Sequence, residues 1–347
     1  MVGIFTLSIG FGQHPDGITG ATTKHESNGN SYYHKTPETS MQVSDLWVGG
    51  EVENPGLVDL NDFYKREVFY KEALPNDSGT ANFVGAYRFS GYSLFDLLDG
   101  FILDKKNKAE FRPAMDVYVV IENDLGETVT FSWAEIFYTH LPHQIIIATE
   151  SAPIEPHKIE VDYPVTEKWK VIAGNDLFSY RMLENPVKIT VKSFDKKYFP
   201  IDRSLRNSIS PKVDLVVDDE LLMTIDTNFK APETESYSSL FYGMGMGYHP
   251  IPVFEGMTLY PLIASEVQTD VKRWMKDGLV CFVGKDGYRV IYSYAELFNR
   301  VDQVKPILSK ITNTPDNGCF RVYHPDSFYA DMSAKNLAEI FFFTESR

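Results

Sequence analysis

One pattern of motifs occurs twice along the chain and constrains the fold more than any other feature. The first copy opens with a Gly-Tyr-Ser-Leu block at Gly91 and closes with Ser-Trp-Ala-Glu-Ile-Phe at Ser132. The second opens with Gly-Met-Thr-Leu at Gly256 and closes with Ser-Tyr-Ala-Glu-Leu-Phe at Ser293. Between its two blocks, each copy has a pair of apolar runs joined by a short turn. An offset of about 160 residues between equivalent blocks predicts two tandem units of one type.

Length and composition fit two such units. The chain has 347 residues, of which 43% are hydrophobic and 23% charged, as in ordinary globular proteins. Residues 1–44 are largely polar after the first few positions, and we interpret them as an extended arm. Residues 192–211 combine alternating charge with two prolines and predict a crossover between the units. We therefore predict a first domain over residues 45–195 and a second over 196–347.

The charge balance and the cysteine count exclude several classes of protein. A net charge of −15 disfavours a nucleic-acid surface, which requires clustered Lys and Arg. The sequence has no apolar run long enough for a membrane span. Two cysteines, Cys281 and Cys319, form no CxxC motif and predict neither a zinc site nor a dithiol centre. Whether these two residues pair is left open.

The opening residues, 4–13, are mostly apolar and resemble the end of an export segment. We therefore expect a bacterial protein that is periplasmic or otherwise exported. An N-terminal strand in a cytoplasmic protein is the alternative.

The recurring Ser-x-x-Glu pattern predicts helix capping rather than catalysis. Ser132 and Glu135 have the spacing of a capping box, in which each side chain bonds the backbone of the other residue. Ser93 precedes Leu94, Leu97 and Leu98, which would share one helical face, and is the expected N-cap of that helix.

The order of these motifs resembles the molybdopterin-binding domain of the sulfite oxidase family. Gly-Glu-Val-Glu-Asn-Pro at 50–55 matches the family's "G-x-V-x-N-P" strand, and the block at 91–98 matches its "G-V-x-L-x-D-L-L" helix. The resemblance implies an α+β fold, mixed and strand-rich, present in two tandem copies. It also implies an oxidoreductase whose molybdenum is bound by a cysteine thiolate.

The thiolate ligand is missing from the chain. The family's cysteine would fall between Tyr70 and Asn82, and no cysteine occurs there. Because molybdenum requires that soft ligand, we expect a degenerate member without catalysis, cofactor or metal. It would act as a binding or interaction module for a small anionic ligand or a protein partner. The alternative is an oxidoreductase that uses molybdopterin or FMN, and a purely structural partner domain is a third hypothesis.

Five residues are the candidate cofactor-binding positions. His25 and His34 lie on the arm, which in the family reaches the pterin site, and Arg88 and Lys168 are basic residues beside aromatic ones. Thr22 ends Asp-Gly-Ile-Thr-Gly-Ala-Thr, which resembles the motif that carries covalent FMN. None of the eight histidines has the spacing of a paired metal site.

Overall fold

A computed structural model describes residues 36–76, 80–205, 209–251, 253–310 and 319–345, apart from the side chain of Glu266. The predicted arm is described only from residue 36, so Thr22, His25 and His34 lie outside the described residues.

Strands dominate both halves of the described chain. The first half contains β1 (Thr39–Ser40), β2 (Trp47–Gly50), β3 (Gly56–Leu57), β4 (Arg66–Pro75), β5 (Ala81–Ser93), β6 (Val117–Asn123), β7 (Thr128–Ser132), β8 (Ile145–Pro153), β9 (Lys170–Ala173), β10 (Leu183–Glu184) and β11 (Pro186–Ser193). The second contains β12 (Lys212–Val217), β13 (Glu220–Asp226), β14 (Thr234–Ser238), β15 (Phe241–Gly243), β16 (Gly247–His249), β17 (Val253–Thr258), β18 (Gly278–Gly284), β19 (Arg289–Ser293), β20 (Ile307–Lys310), β21 (Phe320–Tyr323) and β22 (Leu337–Thr344).

The helices are all short. The α-helices are α1 (Leu94–Asp99), α2 (Trp133–Phe137), α3 (Tyr260–Val267), α4 (Val271–Asp277) and α5 (Tyr294–Phe298). Single 3-10 turns occupy Leu60–Asp62, Ala114–Asp116, Ser179–Arg181, Arg203–Leu205 and Ala330–Met332.

The same strand order occurs once in each half. In the first half, one sheet has the order β4-β5-β8-β9-β10, with β1 on β8, and another has β3-β2-β11-β6-β7. In the second half, the orders are β14-β17-β20-β21 and β13-β12-β22-β18-β19. The pairs β2–β11 and β12–β22 are parallel at equivalent places. A separate hairpin, β15–β16, has no counterpart in the described part of the first half.

The expected α+β class, a sulfite-oxidase-type molybdopterin-binding fold, is wrong. The structure is 46% strand and 15% helix, and its sheets are arranged like a four-bladed propeller. The helices cannot form a layer because each has only five to eight residues. They serve as short connections between strands, and the sheets bury one another's apolar faces.

The glycine that opens each repeated motif lies where two strands come very close. A Cβ on Gly91 would lie 2.1 Å from the carbonyl oxygen of Ile147, on the paired strand β8. A Cβ on Gly256 would lie 2.4 Å from the carbonyl oxygen of Leu308, on the paired strand β20. Only glycine fits such a close backbone approach. The glycine of the repeated Gly-x-[Ser/Thr]-Leu block is therefore explained by a close strand contact that is present in both halves.

Each half has its own apolar core, and a third cluster joins the two. The joining cluster contains Tyr118 and Phe194 from the first half with Cys281, Phe341 and Phe343 from the second. Burial raises the pKa of the Cys281 thiol, and Cys281 and Cys319 are both free. None of the helices among the described residues has the length and apolarity needed to cross a bilayer.

The predicted caps are confirmed, and the two capping boxes meet between the halves. Ser93 caps α1, and Ser132 with Glu135 forms a complete capping box at the start of α2. Ser293 and Glu296 do the same for α5. The Ser132 hydroxyl also donates to Glu296 at 2.7 Å, so a cap of one half is bonded to a cap of the other.

Candidate functional site

The basic residues predicted from the sequence both face carboxylates. Arg88, on β5, is 7% exposed and lies 3.2 Å from Glu38. Lys168 precedes β9 and lies 3.7 Å from Asp124 at the surface. Strand β8 separates β5 from β9, so Arg88 on β5 and Lys168 just before β9 do not lie side by side. Among the described residues, no group of three or more His, Cys, Asp or Glu side chains has a metal-binding arrangement.

A cavity of about 260 Å³ lies in the second half, where β21, the β15–β16 hairpin and the 324–333 segment meet. Its walls combine aromatic rings, hydroxyl groups and two imidazoles. They are His140, Ser238, Ser239, Leu240, Phe241, Tyr242, Tyr292, Tyr323, His324, Pro325, Ser327, Phe328, Tyr329, Ala330 and Ser333.

His324 is the polar group in this wall whose hydrogen bonding is incomplete. It follows β21 directly and is 1% exposed. Neither ring nitrogen has a hydrogen-bond partner among the described residues. Burial, reinforced by the nearby positive charge of Arg300, lowers the pKa of His324 to about 3. The imidazole is therefore neutral at physiological pH and offers one donor and one acceptor.

Beside His324, the direction of a hydroxyl chain is fixed by a backbone carbonyl. The Tyr292 hydroxyl lies 2.9 Å from the carbonyl oxygen of Met332, to which it must donate. Ser327 Oγ lies 3.1 Å from the same hydroxyl, so Ser327 is the donor in that second bond. Since its proton is committed to Tyr292, the Ser327 oxygen presents acceptor lone pairs to the cavity.

The aromatic wall is held rigidly by stacking. Tyr323 stacks on Phe254 with ring centroids 4.2 Å apart and planes 13° from parallel. Phe254 in turn packs against Phe241 at 5.1 Å. The guanidinium of Arg321 lies 4.6 Å from the Phe241 ring, which is within cation–π range. These contacts fix the wall before any ligand binds.

The first half completes the cavity through His140, in the loop after α2. His140 Nδ1 lies 3.0 Å from the carbonyl oxygen of Asp326 and must donate to it. The His140 ring also meets Phe328 edge-on, with centroids 5.3 Å apart. The cavity therefore depends on the packing of both halves.

A second cavity, of about 310 Å³, is larger but its charged groups are already satisfied. Lys305 pairs with Glu233, and Arg300 pairs with Asp302 and Asp326. No buried polar atom without a partner lines this second cavity among the described residues, so the His324 cavity is the better candidate site.

The sequence matches no protein-family profile and no curated protein.

His324 was missed as a site residue because no metal or catalytic spacing includes it. The two halves differ in sequence at the position of His324. Strand β9 ends one residue before Gly174, and the equivalent strand β21 ends one residue before His324. A small residue in one repeat and a histidine in the other, at the same place, is a signal of divergence. The 14-residue segment between β14 and β17 is a second such signal, because only residues 76–80 separate β4 from β5.

Proposed function

We propose that this chain is a binding protein whose His324 cavity holds a small, uncharged, hydroxylated ligand. The observation that carries this proposal is the buried His324 imidazole, whose two nitrogens lack partners. A buried polar group left without a hydrogen bond costs about 1–3 kcal/mol. Both nitrogens are sealed from solvent in the structure, so a ligand that accepts from and donates to this ring would recover that cost once the ring shifts toward the cavity.

The charge of the lining favours a neutral ligand over the anionic one expected from the sequence. Of the described residues that line the cavity, none is Lys, Arg, Asp or Glu. His324 adds no positive charge because its pKa is lowered to about 3. A net charge of −15 further disfavours an anion.

The size and the chemistry of the walls favour a single hydroxylated ring. The volume of about 260 Å³ lies at the small end for ligand cavities. Ser238 and Ser327 supply hydroxyl oxygens, and Phe241 and Tyr323 supply apolar faces. Such a combination suits a pyranose, which has apolar faces and a rim of hydroxyl groups.

Ligand binding is tested with the full-length protein by saturation-transfer NMR and calorimetry. The probes are glucose, mannose, galactose and N-acetylglucosamine, with glucose 6-phosphate and inorganic sulfate as the anionic comparison. We expect at least one neutral sugar to bind and His324→Phe to abolish binding. The matched control is His157→Phe at an exposed position, which leaves binding unchanged. Binding of the anions alone, or of no sugar, would overturn the proposal.

We also propose that no molybdenum or flavin centre contributes to this function. The residues present fit a molybdenum centre poorly, because β4 and β5 provide no thiolate and Arg88 and Lys168 face carboxylates. Metal analysis and an absorbance spectrum of the purified protein are expected to show neither. Stoichiometric molybdenum, or a flavin band that survives denaturation, would instead support the alternative oxidoreductase.

Export of the protein stays a prediction, supported only by the apolar residues at 4–13. Fractionation of a bacterial host that expresses the chain, followed by N-terminal sequencing, tests it.

A further inference from the structure

Three exposed aromatic residues lie at the edge of the His324 cavity or beside it. We call Tyr242, Tyr248 and Phe328 the aromatic ledge. Tyr242 and Tyr248 are directly opposite each other on β15 and β16. Tyr242 and Phe328 also line the cavity, and their ring centroids lie 6.1 Å apart. Tyr248, which does not line the cavity, is 61% exposed on the same face of the hairpin as Tyr242.

The ledge is fixed relative to the cavity floor. The backbone N–H of Met244, in the hairpin turn, donates to Asp331 at 2.7 Å. Tyr242 forms a bridge with Tyr329, and the two rings lie 6.5 Å apart. The planes of Tyr242 and Phe328 are inclined by 58°, so the ledge is a stepped aromatic surface that is held in place and joined to a cavity, as in a binding groove.

We infer that the ligand is a neutral oligosaccharide chain, with one sugar unit in the cavity and the following units stacked along the aromatic ledge. This inference rests on the proposed function and extends it from a single ring to a polymer. Tyr and Phe faces offer large contact areas at low cost in side-chain entropy. The three ledge residues are uncharged, the Asp331 carboxylate lies beside the hairpin turn, and the acidic chain as a whole disfavours acidic glycans.

Two of the three ledge residues, Tyr242 and Tyr248, lie on the β15–β16 hairpin, which supports a dedicated role. Among the described residues, the hairpin occurs only in the half that contains the cavity. It contributes Tyr242 to both the cavity wall and the ledge, so the two surfaces are parts of one groove.

The test compares chain length with ledge substitutions. Calorimetry with glucose, cellobiose and cellotetraose, and with the maltose and chitin series, is run on the full-length protein. We expect affinity to rise on the order of tenfold from the monosaccharide to the tetrasaccharide in one series. Tyr248→Ala removes that gain without changing the affinity for the monosaccharide, and Tyr248→Trp retains it. The matched control, Tyr64→Ala, replaces a tyrosine that is 85% exposed in the first half and leaves both affinities unchanged.

The outcomes separate this inference from the proposed function. If a monosaccharide binds but affinity does not rise with chain length in any series, the ledge inference is overturned and the proposed function stands. If no saccharide of any length binds, both fall. If Tyr248→Ala instead converts an oligomer to a monomer in analytical ultracentrifugation without affecting sugar binding, the ledge is a contact between copies, and the inference is again overturned.

Discussion

The two glutamates of the repeated capping boxes have equivalent positions but different surroundings. Arg181 donates to both oxygens of Glu135, at 3.0 and 2.9 Å, and also binds Asp176. Among the described residues, Glu296 receives only the Ser132 hydroxyl and the backbone N–H of Ser293. Burial raises the pKa of both carboxyls, and Arg181 opposes this rise at Glu135. Glu296 lacks such an opposing arginine, and its pKa is raised well above the ordinary carboxyl value.

The difference between the two glutamates predicts opposite effects of the same substitution. Glu135→Gln leaves Arg181 without one of its charge partners and should cost about 2 kcal/mol of unfolding free energy. Glu296→Gln keeps a neutral acceptor and should be neutral or stabilising at pH 8. The folded-state pKa of Glu296 is raised, so the wild-type protein loses stability as the pH rises above the ordinary value of 4.5, and Glu296→Gln removes that loss. Urea unfolding at pH 5 and pH 8 measures both effects, and equal losses from the two substitutions would contradict this assignment.

The pH dependence of stability expected from His324 is opposite to that expected from Glu296, because acid lowers the stability that His324 contributes. Its folded-state pKa is lowered to about 3 from an ordinary value of 6.5, so the unfolded chain takes up the proton first. Stability conferred by the neutral ring is therefore present above about pH 6.5 and is lost progressively toward pH 3. At pH 5 the loss should be about 1–2 kcal/mol. The unfolding free energy of His324→Phe should fall less steeply over this range than that of the wild-type protein, and parallel curves would refute the prediction.

At the scale of elements, the repeated glycines determine how closely the strands pack. Gly91 and Gly256 each lie against the backbone of a paired strand, as described above. Gly56 and Gly100 offer a matched contrast, because a Cβ on either would meet no atom within 4 Å.

Alanine substitutions at these four glycines should separate into two groups. Gly91→Ala and Gly256→Ala force the paired strands apart and should each cost about 1–3 kcal/mol. Gly56→Ala and Gly100→Ala should stay within about 0.5 kcal/mol of wild type. Denaturant midpoints measure all four. A loss at Gly100 as large as that at Gly91 would show that the close approach is not the cause.

Local signals were sufficient to predict some elements but not the way they assemble. The Ser93 cap, the Ser132 capping box and the 117–131 hairpin depend on residues a few positions apart, and all three are present. The fold class depends on contacts between distant strands, which the motif order did not reveal. The role proposed for His324 was hidden for the same reason, since its cavity requires Phe241 and His140 from remote parts of the chain.

At the scale of the whole molecule, the two halves share buried polar contacts as well as apolar ones. Arg289, from β19, donates to Asp116 of the first half at 2.9 Å, and both are buried. Arg181 of the first half donates to Ser293 of the second at 3.0 Å. Separating the halves would remove the partners of these charged groups. It would also expose the joining apolar cluster to water.

We therefore expect the protein to unfold in one cooperative step. Trp274→Phe leaves tryptophans only in the first half, at Trp47, Trp133 and Trp169. In this variant, fluorescence reports the first half and far-UV circular dichroism reports both. The two denaturation curves should coincide, whereas two separated transitions would show that the halves unfold independently.

Breaking the link between the halves should lower the stability of both. Arg289→Met leaves Asp116 buried with Lys105 as its remaining cation, and a cost of about 3–5 kcal/mol is typical of a broken buried pair. Lys188→Met, which removes a surface contact 4.0 Å from Glu122, is the control and should change stability by less than about 1 kcal/mol. Both are measured by the midpoint of the same denaturation curve.

The β15–β16 hairpin is an addition to a strand order that both halves share in their described parts. The first half has the same strand order, with β4 and β5 where β14 and β17 lie. That half could accept residues 239–252 between β4 and β5, but it cannot accept a histidine at Gly174 without repacking. A Cβ there would lie 2.7 Å from Val68 and 2.9 Å from the carbonyl oxygen of Gln144, so a second cavity of this kind would first need a smaller residue at position 68 and a shift of the neighbouring backbone.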